Sequence, residues 1–469
     1  MGTTTDKLNK LLDTKEKIKT ALEEKVDAEV SDVFSSYPAL IETLPSNVKT
    51  AVTALKSSSS LFVCDFSSID LRGWDLSGIT SLSGAFSGTS IAYANLSNVK
   101  QNATSLNGLF SGCSSLEEAD VTGLCTSSCT DISAVFNVCS KLKKIKGLGT
   151  WDTSNVTNMP STFCQCSSLE ELDLSSWDFT NCNVCSGFLA GAVNIKRLNL
   201  SNATDKFLYE AFNGTASYSP SAMNELILRN IKRNTSNPIN AMLPHGNITN
   251  IDVSNWDFSS GANVYGIAIH SNVVNMTGLD TWNCKVSPYA TGTFFSSCPN
   301  LEAITGIENW DVSGLTMITN MFNNCPKVKE INLANWNTSN CTSISSVFVN
   351  MPALEKVDVS GWTVNTTVNS LTTSCPKLST IIFGEGWGKC TEECNLHLDD
   401  LHTSGNDSYA KYQFSPETFD SMLKMYDRKA NGLTATFTIT FDYATNLPDG
   451  WQAKMEAKGY TIEKAESTE

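Results

Sequence analysis

Residues 317–340, MITNMFNNCPKVKEINLANWNTSN, and residues 343–362, SISSVFVNMPALEKVDVSGW, are two copies of one pattern. Each carries a Phe, then Cys325 or Met351, then a Val or Leu, then a short alternating stretch that ends on a Trp. Trp336 and Trp362 stand 26 residues apart, as do Trp151 and Trp177, Trp256 and Trp282, and Trp310 and Trp336. A fixed period of this length identifies stacked structural repeats. Trp74 to Trp151 spans 77 residues and Trp177 to Trp256 spans 79, each about three periods, with degenerate copies around Leu96, Leu124, Leu200 and Leu228. Roughly thirteen copies therefore fill residues 61–390.

Within a copy, Leu172 and Leu174, Leu198 and Leu200, Ile251 and Val253, Ile331 and Leu333, and Val357 and Val359 alternate as a half-buried strand requires, so one short parallel strand per copy is predicted. Ser, Thr and Asn then turn the chain, and a short helical segment is expected to carry Phe86, Phe163, Phe322 or Phe348 toward the same core. A unit of this size cannot bury its apolar face alone, so stacked neighbours must supply the core. The predicted fold is an α/β repeat solenoid, a stack about 60 Å long at ~4.8 Å per strand. Its core side chains are Trp74, Trp151, Phe163, Cys166, Trp177, Trp256, Trp282, Trp310, Phe322, Cys325, Trp336, Phe348 and Trp362.

Composition agrees with a folded, soluble chain. Of 469 residues 41% are hydrophobic and 17% charged, and the net charge of −15 opposes a phosphate backbone, so nucleic acid is excluded as a partner. No run of ~18 apolar residues predicts a membrane span, and the opening MGTTTDKLNKLLDTKEK lacks the apolar core of an export signal. Charged residues number 17 in positions 1–56 but only 43 in 57–390, which divides the chain into a small N-terminal attachment module (1–56), read as helical from the spacing of Leu8, Leu11, Leu12, Ile18 and Leu22, the repeat solenoid (57–390) and an α+β C-terminal cap (391–469).

Cys113, Cys139, Cys166, Cys298, Cys325 and Cys375 recur at one place in the repeat, and Met351 replaces them once. A position that accepts Cys or Met is a small apolar slot, so reduced structural thiols are expected. Cys182 and Cys185 form a single CxxC, and a zinc ribbon needs a second pair, so no metal and no cofactor are expected. GxSxG, Walker and HExxH motifs are absent, and Gly384-Glu-Gly-Trp-Gly388 falls in the repeat register as a turn, so the chain reads as a non-enzyme. Asp120, Asp173, Asn199, Asp252, Asn332 and Asp358 lie between buried strand positions. They form an exposed column that is the candidate ligand-binding surface, although solvated Asp and Asn ladders are the plainer reading.

Trp151-Asp-Thr-Ser-Asn-Val-Thr-Asn-Met159, followed by Phe163, Cys166 and Leu169, resembles the BspA-like leucine-rich repeats, LxxLDLSxWDTSxVTxMxxMFxxCxxL. The resemblance covers roughly 330 residues and implies recognition without naming a ligand, since that family consists mostly of surface adhesins and proteins of unknown role. Residues 13–41, DTKEKIKTALEEKVDAEVSDVFSSYPALI, look like a segment near the start of tailed-phage virion proteins, TKEAIxxAIxxKG followed by FxxYxxxI, with Val26 in place of its Gly. Thr14, Ile18, Ala21, Phe34, Tyr37 and Ile41 carry that match. Residues 414–465 are similar to the terminal cap of phage repeat proteins: a helix begun by Ser415-Pro416-Glu417, a strand over 433–441, a second helix and the signature Lys458-Gly459-Tyr460-Thr461-Ile462.

These resemblances imply a structural protein of a tailed bacteriophage, the crAss-like phages of gut bacteria being a candidate source. It would be a tail or head fibre or surface decoration, assembled in the host cytoplasm, joined to other virion proteins by its N-terminal module, and adhering to a bacterial surface protein, glycan or mucosal ligand. The alternative is a bacterial BspA-like adhesin. Fibres are often trimers, which leaves a homotrimer open, but residues 1–56 hold no sustained heptads.

Overall fold

The computed structural model describes residues 67–73, 75–77, 79–212, 221–232, 247–258, 272–282, 295–398, 413–441 and 445–465. Trp74 and the N-terminal module, with Thr14, Ile18, Ala21, Phe34, Tyr37 and Ile41, lie outside them. The chain divides into two compact units, Met1–Met223 and Asn224–Glu469, and each is a parallel β-solenoid. Strand-bearing coils recur about thirteen times along the sequence.

In the first unit, β1 (Ser68–Asp70), β2 (Tyr93–Asn95), β3 (Glu118–Asp120) and β4 (Lys144–Lys146) form one parallel ladder, with Ile69, Ala94, Ala119 and Ile145 in register. β5 (Glu171–Asp173) pairs with β6 (Arg197–Asn199) through Leu172 and Leu198. β4 and β5 belong to separate sheets, but the stack continues past them on another side through bridges linking Ser105, Asp131, Asn158 and Val184. The parallel register follows from the period: one coil per repeat puts equivalent residues beside each other, and a slip by one residue would turn Leu172 and Leu198 outward.

The segments that carry Phe86, Phe110, Phe136 and Phe163 in this unit are not helical. Residues 82–89 run as successive tight turns in which alternate amides, those of Leu82, Gly84, Phe86 and Gly88, donate to Ser105, Asn107, Leu109 and Ser111 of the next coil. A helix would close these bonds within its own segment, whereas here the backbone spends them between coils. The pattern needs two left-handed residues four apart. Gly84 and Gly88 supply them in one coil, and Ala134 with Val138 or Ser161 with Gln165 in others. Among the described residues a helix replaces such a segment once in this unit, as α1 (Asp205–Phe212).

The second unit opens with β7 (Glu225–Ile227), β8 (Asn250–Asp252) and β9 (Asn275–Thr277), and continues with β10 (Glu330–Asn332), β11 (Lys356–Asp358) and β12 (Thr380–Ile382). Its later coils hold three strands instead of one. Met317–Thr319 pairs with Ser343–Ser345, and Phe322–Asn323 with Phe348–Val349, so Phe322 and Phe348 sit on strands and not on helices. The cap follows: β13 (Cys394–Leu398), α2 (Pro416–Met422), β14 (Phe437–Phe441), α3 (Trp451–Ala457) and β15 (Thr461–Lys464). The Ser415 side chain accepts the Thr418 amide and Pro416 occupies the first turn, a combination that starts a helix without an orphan donor. β14 and β15 extend a sheet of the solenoid, and β15 ends it with exposed Thr461, Glu463 and Lys464, a charged edge that resists further pairing.

Rings stack at the coil spacing inside both units. Phe86, Phe110, Phe136 and Phe163 follow one another at 5.4, 5.6 and 5.7 Å with nearly parallel planes. Trp151 lies over Trp177 at 5.8 Å, Trp256 over Trp282 at 5.2 Å, Trp282 over Trp310 at 5.4 Å, and Trp336, Trp362 and Trp387 at 6.5 and 6.0 Å. The indole N–H of Trp177, Trp310, Trp336 and Trp387 donates to Leu148, Leu279, Ile307 and Val359 carbonyls, each about one coil back, so a large polar ring is buried with its donor satisfied.

Candidate functional site

Each strand of the main ladder is three residues long, which divides its side chains by geometry alone. The middle one points inward: Ala119, Leu172, Leu198, Ile251, Ile331 and Val357 are buried. In these strands the first and third point outward, whereas Asn95, Ile227 and Thr380 are buried at those positions in others. The third position holds Asp120, Asp173 and Asn199 in the first unit and Asp252, Asn332 and Asp358 in the second. The structure gives it a task that spacing did not reveal. Oδ1 of each accepts the amide two residues on, from Thr122, Ser175, Ser201, Ser254, Ala334 and Ser360 at 2.9–3.1 Å. These Asx turns end the strand and bend the chain into the next side of the coil. The signal was the tripeptide: Asp173-Leu-Ser175, Asn199-Leu-Ser201, Asp252-Val-Ser254 and Asp358-Val-Ser360 repeat a short acceptor two residues before a small donor.

The other side-chain atom, Oδ2 of Asp or Nδ2 of Asn, is left for neighbours on the surface. Asn199 donates to Oδ2 of Asp173 at 3.2 Å, and Arg229 Nε to Oδ2 of Asp252 at 2.7 Å. Partial burial pulls the Asp252 carboxyl up, but the Ser254 hydroxyl, Arg229 and the Ser254 amide outweigh it and hold it below the usual carboxylate range. Asp173 is held low in the same way, burial being outweighed by Ser175, Asn199 and Arg197. Asp173 and Asp252 are thus anionic at neutral pH and anchored at one oxygen.

Around Asp173 the first unit carries bands of alternating sign. Glu117, Glu118 and Asp120 flank β3, Lys143, Lys144 and Lys146 flank β4, Glu170, Glu171 and Asp173 flank β5, and Lys196 and Arg197 flank β6. Lys143 meets Glu117 at 2.9 Å, Lys196 meets Glu170 at 2.8 Å, and Lys146 meets Glu118. A concavity of about 650 Å³, lined by Lys144, Ile145, Glu171, Leu172, Asp173 and Arg197 among others, lies where the ladder is interrupted between β4 and β5. In the second unit a concavity of about 280 Å³ lies over Glu225, Arg229, Asn250, Asp252 and Asn275.

The other conspicuous polar residues are structural. Asn155, Asn181, Asn194 and Asn202 each donate Nδ2 to a Ser carbonyl about one coil back at 2.7–2.9 Å, and Asn340 does so in the second unit. The Cys column lies inside: Cys113, Cys139 and Cys166 donate their thiols to the Phe86, Phe110 and Phe136 carbonyls at 2.9, 3.1 and 3.1 Å. Burial pushes the Cys139 and Cys166 thiols far up and Cys375 up to about 11. Such thiols are packing groups and neither nucleophiles nor ligands. Among the described residues no three His, Cys, Asp or Glu side chains are placed to hold a metal ion. Trp151, Phe163, Cys166, Trp177, Trp256, Trp282, Trp310, Phe322, Cys325, Trp336, Phe348 and Trp362 are all buried.

A family model described as "Mycoplasma protein of unknown function, DUF285" matches residues 56–145, 104–225 and 290–373, together more than half of the chain. No curated protein matches it. Among solved structures, the receptor of a TLR13–ssRNA13 complex superposes with a TM-score of 0.31 at 15% identity, over 80% of this chain and 43% of its own. A leucine-rich cell surface protein from Faecalibacterium prausnitzii A2-165 superposes with a TM-score of 0.23 at 12% identity, over 81% and 80% of the two chains.

Proposed function

The chain belongs to the DUF285 family, and we propose that it is a non-catalytic binding protein whose strand face adheres to a protein or glycan on a cell surface, bacterial or mucosal. The observation that carries this reading is the division of labour within each strand. The core takes the middle residue and the turn takes one oxygen of the third, while the first residue and the outer polar atom of the third stay at the surface, where contacts such as Asn199 to Asp173 and Lys146 to Glu118 link neighbouring coils. Those positions vary from Glu118 to Lys144 to Arg197 to Asn250 on an unchanging scaffold. Outward groups held at a regular spacing recognise a ligand with little entropy left to lose, and several copies on one particle would bind multivalently.

We further infer that the protein is a virion component of a tailed phage, a fibre or surface decoration, in which residues 1–56 contact other virion proteins through Thr14, Ile18, Ala21, Phe34, Tyr37 and Ile41. The likeness of residues 13–41 to virion segments supports this. A bacterial adhesin is the second reading, favoured by the family match to Mycoplasma repeats. Mass spectrometry of purified particles, with antibody labelling under the electron microscope, separates the two. Label on the particle exterior is the expected result, and label on cells with none on particles refutes the virion reading.

A further inference from the structure

The four bands on the strand face of the first unit, from β3 to β6, run acidic, basic, acidic, basic, and this order has a symmetry that the individual residues do not. It is antisymmetric about the line between β4 and β5: reflection across that line exchanges every band with one of opposite sign. Two residues at the line, Lys144 and Glu171, are exposed and have no ion-pair partner among the described residues, whereas Lys143, Lys146, Glu117, Glu118, Glu170 and Lys196 are already paired within the chain. The ladder is interrupted at the same line, and the concavity of about 650 Å³ opens there.

We infer that this band is an interface between two copies of the chain. The inference rests on the reading of the strand face as a recognition surface and names what covers one part of it. A two-fold axis lying in the interface, parallel to the strands and between β4 and β5, sets Lys144 of each copy against Glu171 of the other. It also sets Glu118 against Arg197, Glu117 against Lys196, Lys143 against Glu170 and Lys146 against Asp173. Each of these charges then faces the opposite sign, and Asp120 meets the neutral Asn199. A two-fold axis along the stack sets each band against itself and is repulsive throughout, so the pattern selects one orientation as well as one partner. The concavity gives the two central pairs, which no intrachain ion pair competes for, room to meet. The four-strand band is small against the ~1,000 Å² of a stable interface, so the association belongs to the weak class and depends on charge.

The test uses the full chain in sedimentation velocity from micromolar to millimolar concentration, at low and high salt. Wild type should dimerise at low salt and lose at least about tenfold in affinity when the Debye length is shortened to a few ångströms. Lys144→Glu and Glu171→Lys should each weaken self-association about tenfold or more, because each sets like charges across the axis. Both positions are exposed, and circular dichroism will verify that the variants fold. An equimolar mixture of the two variants should associate again, since the carboxylate introduced into one chain then meets the ammonium introduced into the other. Repair of charge within one chain cannot produce that recovery. A wild type monomeric throughout, reversals without effect, or a mixture no tighter than its components would each overturn the interface, while leaving the cell or particle labelling above to decide the adhesive function separately.

Discussion

Gly147→Ala should separate two adjacent coils, and its cost follows from the geometry. Gly147 has φ +88° and starts the 3-10 turn Leu148–Thr150, which adds one residue before Trp151. A Cβ there would lie 2.6 Å from Thr122 Oγ1 and closer still to the Thr122 main chain, against 3.4 Å for an ordinary contact. The coils must part by roughly 1 Å, a shift that breaks the bonds from Val121 N to Lys146 O and from Gly123 N to Thr150 Oγ1, both 2.9 Å. Two hydrogen bonds at about 1 kcal/mol each, added to about 1–2 kcal/mol for a side chain in the left-handed region, exceed the ~0.5 kcal/mol gained from a stiffer unfolded chain. The net cost is about 3 kcal/mol. Gly88→Ala is the control: φ is +69°, but no atom lies within 4 Å of its Cβ, so it should cost only about 1 kcal/mol. Amide exchange reads both. Val121 and Gly123 in Gly147→Ala should accelerate about 30-fold more than Phe86 and Gly88 in Gly88→Ala, the ratio that about 2 kcal/mol implies. Equal acceleration in the two variants would refute close coil approach as the reason for glycine.

Trp336→Ala removes a fully buried ring stacked on Trp362 and orphans the Ile307 carbonyl, and should cost about 3–5 kcal/mol in thermal unfolding. A loss under about 1 kcal/mol would contradict the ring stack as core. Iodoacetamide at about pH 8, near the ordinary thiol range, should label exposed Cys125 in the native chain but reach Cys113, Cys139 and Cys166 only after unfolding; labelling of Cys139 at the rate of Cys125 would exclude the packed column. The Asp252 carboxyl is lower in the folded chain than its ordinary value of 3.8, so its contribution to stability is complete above that pH and is lost as pH falls through the folded value. Protection of the Ser254 amide should therefore fall on acidification below pH 3.8, and less so in Asp252→Asn, which keeps an acceptor but does not titrate. The same acid response in both proteins would remove Asp252 from the account.

The repeat, its period and the identity of the core are legible from residue spacing alone. The tryptophans stand 26 residues apart because each coil is one turn of a stack, and a substitution at Leu172 or Cys166 is felt by the neighbours above and below. The destinations of the backbone hydrogen bonds, in contrast, depend on how the coils stack. The segment around Phe86, with Gly84 and Gly88, leans to a turn by composition, but the strand or coil that it bonds to is not visible there. It became a turn because the adjacent coil offers its carbonyls at the same height, and local propensity carries no information about a partner some 25 residues away. The role of the Asp and Asn column was hidden for the same reason. Asp173 reads as an exposed carboxylate until the Ser175 amide is seen to turn back on it, and Lys144 and Glu171 read as scattered charges until stacking sets their bands side by side on one face.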